Sequence, residues 1–346
     1  MNAPAVTTEI APPARGGRLT RGAGLGVALA VLLFAALLSL AVGARSIPLG
    51  HVLDALRHGG DSQEATIIRD LRIPRTLLGV AVGAALGVAG ALMQALTRNP
   101  LADPGLLGVN AGASVAVVVA LALGLAGAAT SIWFAFLGAA VASIVVYGIG
   151  AAGRGGATPV RLALAGTAIS AALTAVIYGI VLTDNRLMQH YNFWSVGALG
   201  GRGRTQLETA LPFIVAGIVI ALSLARALNA LALGDDSARA LGARVARTRI
   251  AGALAVTLLC GAATAAAGPM YFLGLTVPHA ARAFCGPDQR WVLVYSAVLG
   301  AALLLIADVV GRVAVRPGEL QAGVMLAVLG TPVFIALVRG KRIPAL

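Results

Sequence analysis

Few side chains in this 346-residue sequence have the types and spacings that covalent or metal chemistry needs. Its four histidines form no HExxH pair, and VPHAAR around His279 lacks the glutamate of a metalloprotease, which predicts a packed loop histidine. Cys260 and Cys285 lie in apolar stretches without CxxC spacing, which favours two inert buried thiols. The single lysine, Lys341, does not end a GxxxxGK motif, so there is no Walker-type phosphate-binding loop. We therefore predict neither an enzyme nor a chain that holds its own metal or cofactor.

Acidic residues are also sparse within the apolar stretches. Asp308 falls at the edge of one of them, where we expect it to snorkel towards water or to pair with Arg312. Proton-coupled transporters usually carry several ionisable groups inside the membrane, so the small number of acidic residues disfavours an ion-coupled secondary transporter. We keep that class of protein as an alternative function. The missing metal and nucleophile motifs likewise disfavour an intramembrane enzyme.

One polar stretch, RNPLADPGLLGVNAG, interrupts two long apolar runs. Pro100 and Pro104 exclude a continuous helix, and Asn99 and Asp103 suit caps and turns. We predict that the chain turns here and re-enters the apolar region at Gly108. Irregular backbone at membrane depth survives only where protein or water covers it. The residues alone leave a structured turn and a functional segment equally open.

A second polar stretch, RALNALALGDDSARALGARVARTRI, carries the longest group of charges. Gly234 breaks the preceding helix, Asp235 or Asp236 can cap a new one, and SARALG predicts a short helix that ends near Gly242. Such a helix can be a docking element for a partner, or it can be an ordinary capped connector.

The composition determines what must position these segments. Hydrophobic residues make up 59% of the chain, charged residues make up 11%, and the mean hydropathy is +0.90, all outside the range of ordinary soluble domains. Uncharged runs are long enough to cross a bilayer as helices, which takes about 20 residues. The runs do not alternate in polarity as barrel strands would. The sequence therefore predicts an all-α polytopic membrane protein.

Gaps between charged residues indicate ten transmembrane spans, since charges rarely lie at the bilayer centre. The gap that ends at Arg154 divides at GLAGAATS, and the one before Arg282 divides at Gly268-Pro269, which makes the eighth span short. The predicted spans lie within residues 21–45, 75–98, 104–124, 131–154, 161–184, 208–226, 249–268, 270–282, 290–308 and 319–339.

Two patterns concern how these spans pack. Gly79, Gly83 and Gly87 recur every four residues and so share one helix face, which predicts close helix packing. RIPRT opens the second span and RVART opens the seventh, which suggests two five-helix halves with inverted topology.

An even number of spans puts both termini on one side of the membrane. The excess of arginine over acid on that side predicts that it is the cytoplasm, and the net charge of +13 largely reflects this topology rather than a nucleic-acid surface. We expect residues 1–21 to be a disordered cytoplasmic tail and residues 22–346 to be one membrane domain. The first apolar run exceeds a typical signal-peptide core, so we expect it to be retained.

The run RIPRTLLGVAVGAALGVAGALMQALTRNPLADPGLLGVNAGAS resembles the FecCD permease family, the BtuC-like membrane subunits of bacterial ABC importers for iron-siderophores, haem and cobalamin. LGDDSARALGARVARTR, GPMYFLGLTVPHAARAFCGPDQRW and LLLIADVVGRVAVRPGELQAGVMLAVLGTPVFIAL extend the resemblance over nearly all of residues 45–340. It implies an inner-membrane subunit that pairs with a copy of itself or a close paralogue. Two separate ATPase subunits, which bind ATP and Mg, and an extracytoplasmic substrate-binding protein complete the importer.

The resemblance also implies residue roles. Arg72, Arg75 and Arg312 would accept carboxylates of the binding protein, in bidentate pairs. Asn99, Pro100, Gly108 and Asn110 would form the gate and the translocation path. Residues 234–243 would couple to the ATPase, and the following residues would make the contact: Gly234, Asp235, Asp236, Ala238, Arg239, Leu241 and Gly242.

The cargo is less closely determined. FWSVGALGGR and RPGELQAGV look closest to the iron-siderophore branch, so we expect a ferric siderophore, with haem and cobalamin as alternatives. Ala198 replaces a serine that is usual in the family, and QAGVMLAVLGTP departs from its last-span pattern, which leaves the ligand class more open than the fold.

Overall fold

A computed structural model describes residues 18–43, 47–57, 62–125, 128–152, 159–316 and 318–339. Most of the predicted disordered tail, and Lys341, lie outside the described residues. The last four residues of that predicted tail, 18–21, form the first turn of a helix.

The described chain is helical and contains no strand. Its fifteen α-helices are α1 Arg18–Ala41, α2 Leu49–Arg57, α3 Gln63–Thr66, α4 Ile73–Thr97, α5 Val109–Ala122, α6 Ala128–Ala151, α7 Pro159–Val181, α8 Asn185–Ser195, α9 Arg204–Ser223, α10 Ala225–Ala232, α11 Asp235–Ala240, α12 Val245–Ala267, α13 Leu273–Cys285, α14 Gln289–Ala314 and α15 Ala322–Arg339. A π-helical segment, Ile67–Arg72, joins α3 to α4, and a 3₁₀ turn, Pro104–Leu107, precedes α5.

The all-α polytopic fold is confirmed, and each of the ten predicted spans contains one helix: α1, α4, α5, α6, α7, α9, α12, α13, α14 or α15. Within the described ranges, seven helical segments are long and apolar enough to cross a membrane. The other three helices are shorter: α5 has 14 residues, α13 has 13 and α15 has 18. The structure therefore confirms the fold class and agrees only approximately with the count of ten spans.

Helix α4 forms the centre of the molecule. Its most apolar segment is 78% buried, against 17% for α1, and α4 packs on α9, α12, α13 and α14. A Cβ on Gly83 would overlap the backbone of α14 at Gly300, and a Cβ on Gly87 would overlap it at Ser296. A Cβ on Gly79 would instead meet two side chains, those of Leu305 at 2.6 Å and Leu199 at 3.0 Å. At Gly83 and Gly87 the two helix backbones thus come too close for any side chain.

The two segments of the sequence echo begin helices that lie side by side. RIPRT opens α4 and RVART opens α12, and these helices contact each other. They run in opposite directions, because Arg249 near the start of α12 and Arg98 just after α4 pair with the same carboxylate, that of Asp235. We call the bundle end that holds these three residues the α11 end, and the opposite end, where α4 begins, the arginine end.

The break after α4 folds back into the bundle. Arg98 takes the left-handed conformation with φ 48°, and Gly108 at φ 71° precedes α5. Between them, Pro104 lies against Gly274 at the start of α13. Gly274 also packs on Leu86 in the middle of α4. Helix α5 is short because the chain has already returned part of the way as non-helical backbone, which neighbouring helices cover.

Candidate functional site

The arginine end centres on one buried carboxylate, that of Asp308 on α14. Arg75, in the first turn of α4, donates from Nη2 to Oδ1 at 2.8 Å and from Nε to Oδ2 at 3.1 Å. Arg312 donates from Nε to Oδ2 at 3.0 Å, one helical turn further along α14. The pairing of Asp308 with Arg312 thus occurs as expected, and the sequence pattern gave no sign of the bidentate pair with Arg75.

Two of the three predicted docking arginines hold the end of α1. Arg72 donates to the carbonyl oxygens of Leu40 and Ala41 at 2.6 and 2.8 Å, and Arg312 donates to those of Ser39 and Val42 at 2.8 and 3.2 Å. The last carbonyls of a helix have no partner within it, and the negative end of its dipole attracts cations. Both guanidinium groups satisfy these carbonyls.

This placement gives the three predicted docking arginines unequal access to solvent. Arg72 and Arg312 are buried, because the end of α1 covers them, and only Arg75 keeps part of its side chain accessible, at 15%. Its Nη1 donates to Glu319 at 2.9 Å. Beside this pair lies an open cavity of about 350 Å³, lined also by Gly200 and Gln321.

A second cavity, of about 480 Å³, lies where the break after α4 meets α5, α7 and the segment before α13. We call it the path cavity. Its polar lining side chains are Asp103, Asn110, Ser114, Ser170, Thr174, Tyr191 and Tyr271. Asp103 accepts a hydrogen bond from the Gly105 amide at 2.8 Å, as a cap of the 3₁₀ turn. Burial raises the pKa of the Tyr191 phenol above its ordinary value.

The four predicted gate and path residues do not all occupy the same region. Asn110 lines the path cavity, and its Oδ1 accepts a hydrogen bond from Thr264 of α12 at 2.9 Å. Gly108 lies two residues before it, at the start of α5, and packs on α6 and α7. Asn99 and Pro100 lie near the α11 end, where Asn99 is exposed and its Oδ1 accepts from the Leu101 amide at 2.9 Å. The break therefore connects the α11 end to the cavity.

At the α11 end, the predicted coupling residues divide into those that face outward and those that hold α11 in place. Gly234 and Gly242 flank the helix with positive φ angles of 107° and 81°. Asp236 and Arg239 pair with each other at 2.7 Å on the exposed side, and Leu241 is 67% exposed.

Two residues that were expected to contact a partner face inward instead. Ala238 is fully buried on the inner side of α11, so it is not available for the predicted contact with the ATPase. Asp235 pairs with Arg98 and, at 3.0 Å, with Arg249. A six-residue helix needs an anchoring side, and these residues form it.

Sequence reasoning missed a buried polar group between α4 and α13. Arg282 donates to Gln94 Oε1 and contacts His279 Nδ1 at 2.8 Å, and all three side chains are buried. His279 is thus a packed histidine, as expected, although it lies within a helix. The VPHAAR segment could have suggested it, because His and Arg three residues apart share a helix face.

Nothing in the described part of the chain points to a resident metal. Groups of three or more His, Cys, Asp or Glu side chains that could hold an ion do not occur among those residues. Cys260 and Cys285 are both buried and unpaired. The candidate site is a polar cavity within the bundle, together with a charged cluster at each end of α4.

The FecCD transport family model matches residues 31–340. The chain is 50% identical to the ferric enterobactin transport system permease protein FepD of Escherichia coli, over 93% of this chain and 97% of that protein. It is 43% identical to the Fe(3+)-citrate import system permease protein YfmD of Bacillus subtilis, over 91% and 94% of the two chains. An inward-facing structure of a metal-chelate type ABC transporter superposes with a TM-score of 0.81 at 24% identity, and the match covers 92% of this chain and 99% of that one.

Proposed function

The chain belongs to the FecCD transport family and is the membrane-spanning permease of an ABC importer, and we propose that its cargo is a ferric siderophore chelate. The observation that carries this proposal is the 50% identity to a ferric enterobactin permease along almost the whole of both chains. A ferric citrate permease at 43% identity supports the same cargo class.

The chemistry of the path cavity suits a bulky chelate in transit. Hydroxyl and amide groups line most of its polar surface, and its lining carboxylate, Asp103, already accepts a backbone hydrogen bond. Groups of this kind offer many weak hydrogen bonds and no opposite charge to trap an anionic chelate. A path must bind its cargo weakly enough to release it.

The proposed mechanism is alternating access driven by ATP that a separate ATPase subunit binds with Mg. ATP must bind two conformations of the complex with different affinity, since a ligand without such a difference shifts no equilibrium. Helix α11 would sit in a cleft of the ATPase, with Arg239 and Leu241 on its exposed side. The permease itself would perform no covalent chemistry and would need no cofactor of its own.

We further propose that an extracytoplasmic substrate-binding protein docks at Arg75. Among the three arginines of this cluster, Arg75 has the most accessible side chain, and it borders an open cavity. In the free permease its outer nitrogen is held by Glu319, whose side chain is 35% exposed. A carboxylate of the binding protein would replace Glu319 there, in the same charge-assisted geometry.

The proposed assembly has two permease copies, or one copy and a close paralogue, together with two ATPase subunits. Both termini would be cytoplasmic, which puts the α11 end beside the ATPase and the arginine end outside. This orientation agrees with the positive-inside rule.

The cargo is tested with the assembled complex in lipid nanodiscs. Ferric enterobactin, ferric citrate, haem and cobalamin, each on its own binding protein, are compared for stimulation of ATP hydrolysis. We expect stimulation by one of the ferric chelates. Stimulation by haem or cobalamin alone would refute the cargo assignment, and uptake driven by an ion gradient without ATP would refute the importer mechanism.

Docking of the ATPase is tested by reversing one exposed charge. We expect Arg239→Glu to impair nucleotide-driven uptake while the melting temperature changes little, because its pair with Asp236 is exposed and such pairs contribute little to stability. Uptake equal to that of the wild type would argue against α11 as the docking element.

A further inference from the structure

The carboxylate of Asp235 connects three separate elements at the α11 end. It belongs to the first turn of α11, and Oδ1 accepts from Arg98, the residue that ends α4. Arg249, in the second turn of α12, donates to the same carboxylate at 3.0 Å. A sequence separation of 137 residues between Arg98 and Asp235 makes this a tertiary contact rather than a local cap.

The backbone at Arg98 shows that this residue is held in place. Its φ of 48° lies in the left-handed region, which residues with a side chain rarely adopt. Its amide still bonds back to Gln94, so the end of α4 stays intact up to Arg98. The break after α4 begins at the Arg98 backbone, so a displacement of the Arg98 side chain pulls on the start of the break.

The segment from Arg98 to the path cavity is short and internally braced. Asn99 bonds to the Leu101 amide, and Asp103 bonds to the Gly105 amide. Asp103 and Gly105 themselves line the cavity. Only four residues, 99–102, thus separate Arg98, which contacts Asp235, from Asp103 in the wall of the path cavity.

We propose that Asp235 is a transmission link, which carries movement of α11 through Arg98 into the break that lines the path. This inference rests on the proposed function, in which α11 contacts an ATPase. It assigns Asp235 an internal role that differs from the exposed contacts of its neighbour Asp236. Asp235 is a positioning residue, since it acts through Arg98 and does not touch the cargo.

Asp236 provides a matched control. It is the adjacent residue with the same charge, but its side chain is 98% exposed and pairs only within α11, with Arg239. Asp235→Asn and Asp236→Asn therefore remove the same charge one residue apart. A loss that follows from charge alone would affect both variants.

The experiment reads the break directly, independently of cargo. A bimane fluorophore is attached to Leu101→Cys, a 44% exposed position, while the native cysteines are buried and stay unlabelled. The complex with its ATPase subunits is placed in nanodiscs, and the change in bimane emission is measured on saturation with a non-hydrolysable ATP analogue. Hydrolysis and transport are not needed for this readout.

We expect Asp235→Asn to reduce the nucleotide-induced change about five- to tenfold, at the low end of typical coupling between distant sites, while the ATPase still co-purifies. Because Asp236 is on the side of α11 that is proposed to contact the ATPase, Asp236→Asn should lower the amount of co-purified ATPase, while the bimane change per bound ATPase stays at the wild-type value. Arg98→Gln should give the same loss as Asp235→Asn, and the variant that combines these two substitutions should lose no more than either alone. Arg98→Lys should retain much of the response.

Two results would overturn the link. One is an equal bimane change per bound ATPase in Asp235→Asn and Asp236→Asn. The other is a loss in Asp235→Asn that follows loss of the co-purified ATPase, which would make Asp235 part of the dock. If the unmodified complex binds no ATPase or shows no response to nucleotide, the proposed function fails instead.

Discussion

The two ends of α4 carry the same arrangement of charges in different surroundings. Near its first turn, Arg75 and Arg312 share the carboxylate of Asp308, and just beyond its last turn Arg98 and Arg249 share that of Asp235. Asp308 is 1% exposed, whereas Asp235 is 26% exposed.

This difference in burial separates the roles of the two clusters. A buried charge that loses its partner costs several kcal/mol, because the remaining charge stays in an apolar region. An exposed pair contributes about 0.2–1 kcal/mol and can rearrange at little cost. The arginine end is therefore suited to fix α1, α4 and α14 together, and the α11 end is suited to change position during a cycle while Asp235 and Arg98 stay paired.

The largest effect should come from the buried carboxylate. We expect Asp308→Asn to destabilise the permease by about 3–5 kcal/mol, since it leaves the buried Arg312 without its counter-charge. The melting temperature in detergent should fall by on the order of 10 °C. A fall as small as that of an exposed charge variant would show that the two clusters do not differ as proposed.

A smaller effect should come from the packing that holds α4 rigid between the clusters. Gly87→Ala puts a methyl group against the Ser296 carbonyl of α14, so we expect a loss of about 1–3 kcal/mol. Gly79→Ala is the matched control, since its methyl group meets only the ends of the Leu305 and Leu199 side chains. Equal melting temperatures for the two variants would contradict this account of the α4–α14 contact.

Much of this fold follows from local properties of the sequence. Each predicted span contains a helix because long apolar runs bounded by charges have few other ways to satisfy their backbone in a membrane. The turn before Gly108 and the short helix after Gly234 followed from proline, glycine and capping residues. These features depend on neighbouring residues alone.

The partners of the charged side chains could not be obtained in this way. Arg75 and Asp308 are 233 residues apart, and nothing in either segment specifies the other. Arg72 and Arg312 were predicted as docking residues from the family resemblance, and nothing in their own segments shows that both donate to carbonyls at the end of α1. Asp235 was predicted from its neighbours as a possible helix cap, whereas in the structure it also pairs with Arg98 and Arg249, which belong to other elements.

A still smaller effect should distinguish the outer edge of the arginine end from its core. Glu319→Gln removes only the exposed partner of Arg75, so we expect a stability change of at most about 1 kcal/mol. Because Glu319 would then no longer compete, we expect the affinity for the binding protein to rise about two- to fivefold. Surface plasmon resonance with immobilised binding protein measures this change, and weaker binding would show that Glu319 assists docking instead.

The most direct test of the difference between the two ends is the melting temperature of Asp308→Asn and Asp235→Asn, measured side by side on the purified permease. Both variants remove one carboxylate charge shared by two arginines and keep the side-chain volume. We predict a fall on the order of 10 °C for Asp308→Asn and of at most a few degrees for Asp235→Asn. Equal falls would contradict the division between a cluster that holds the fold and one that transmits movement.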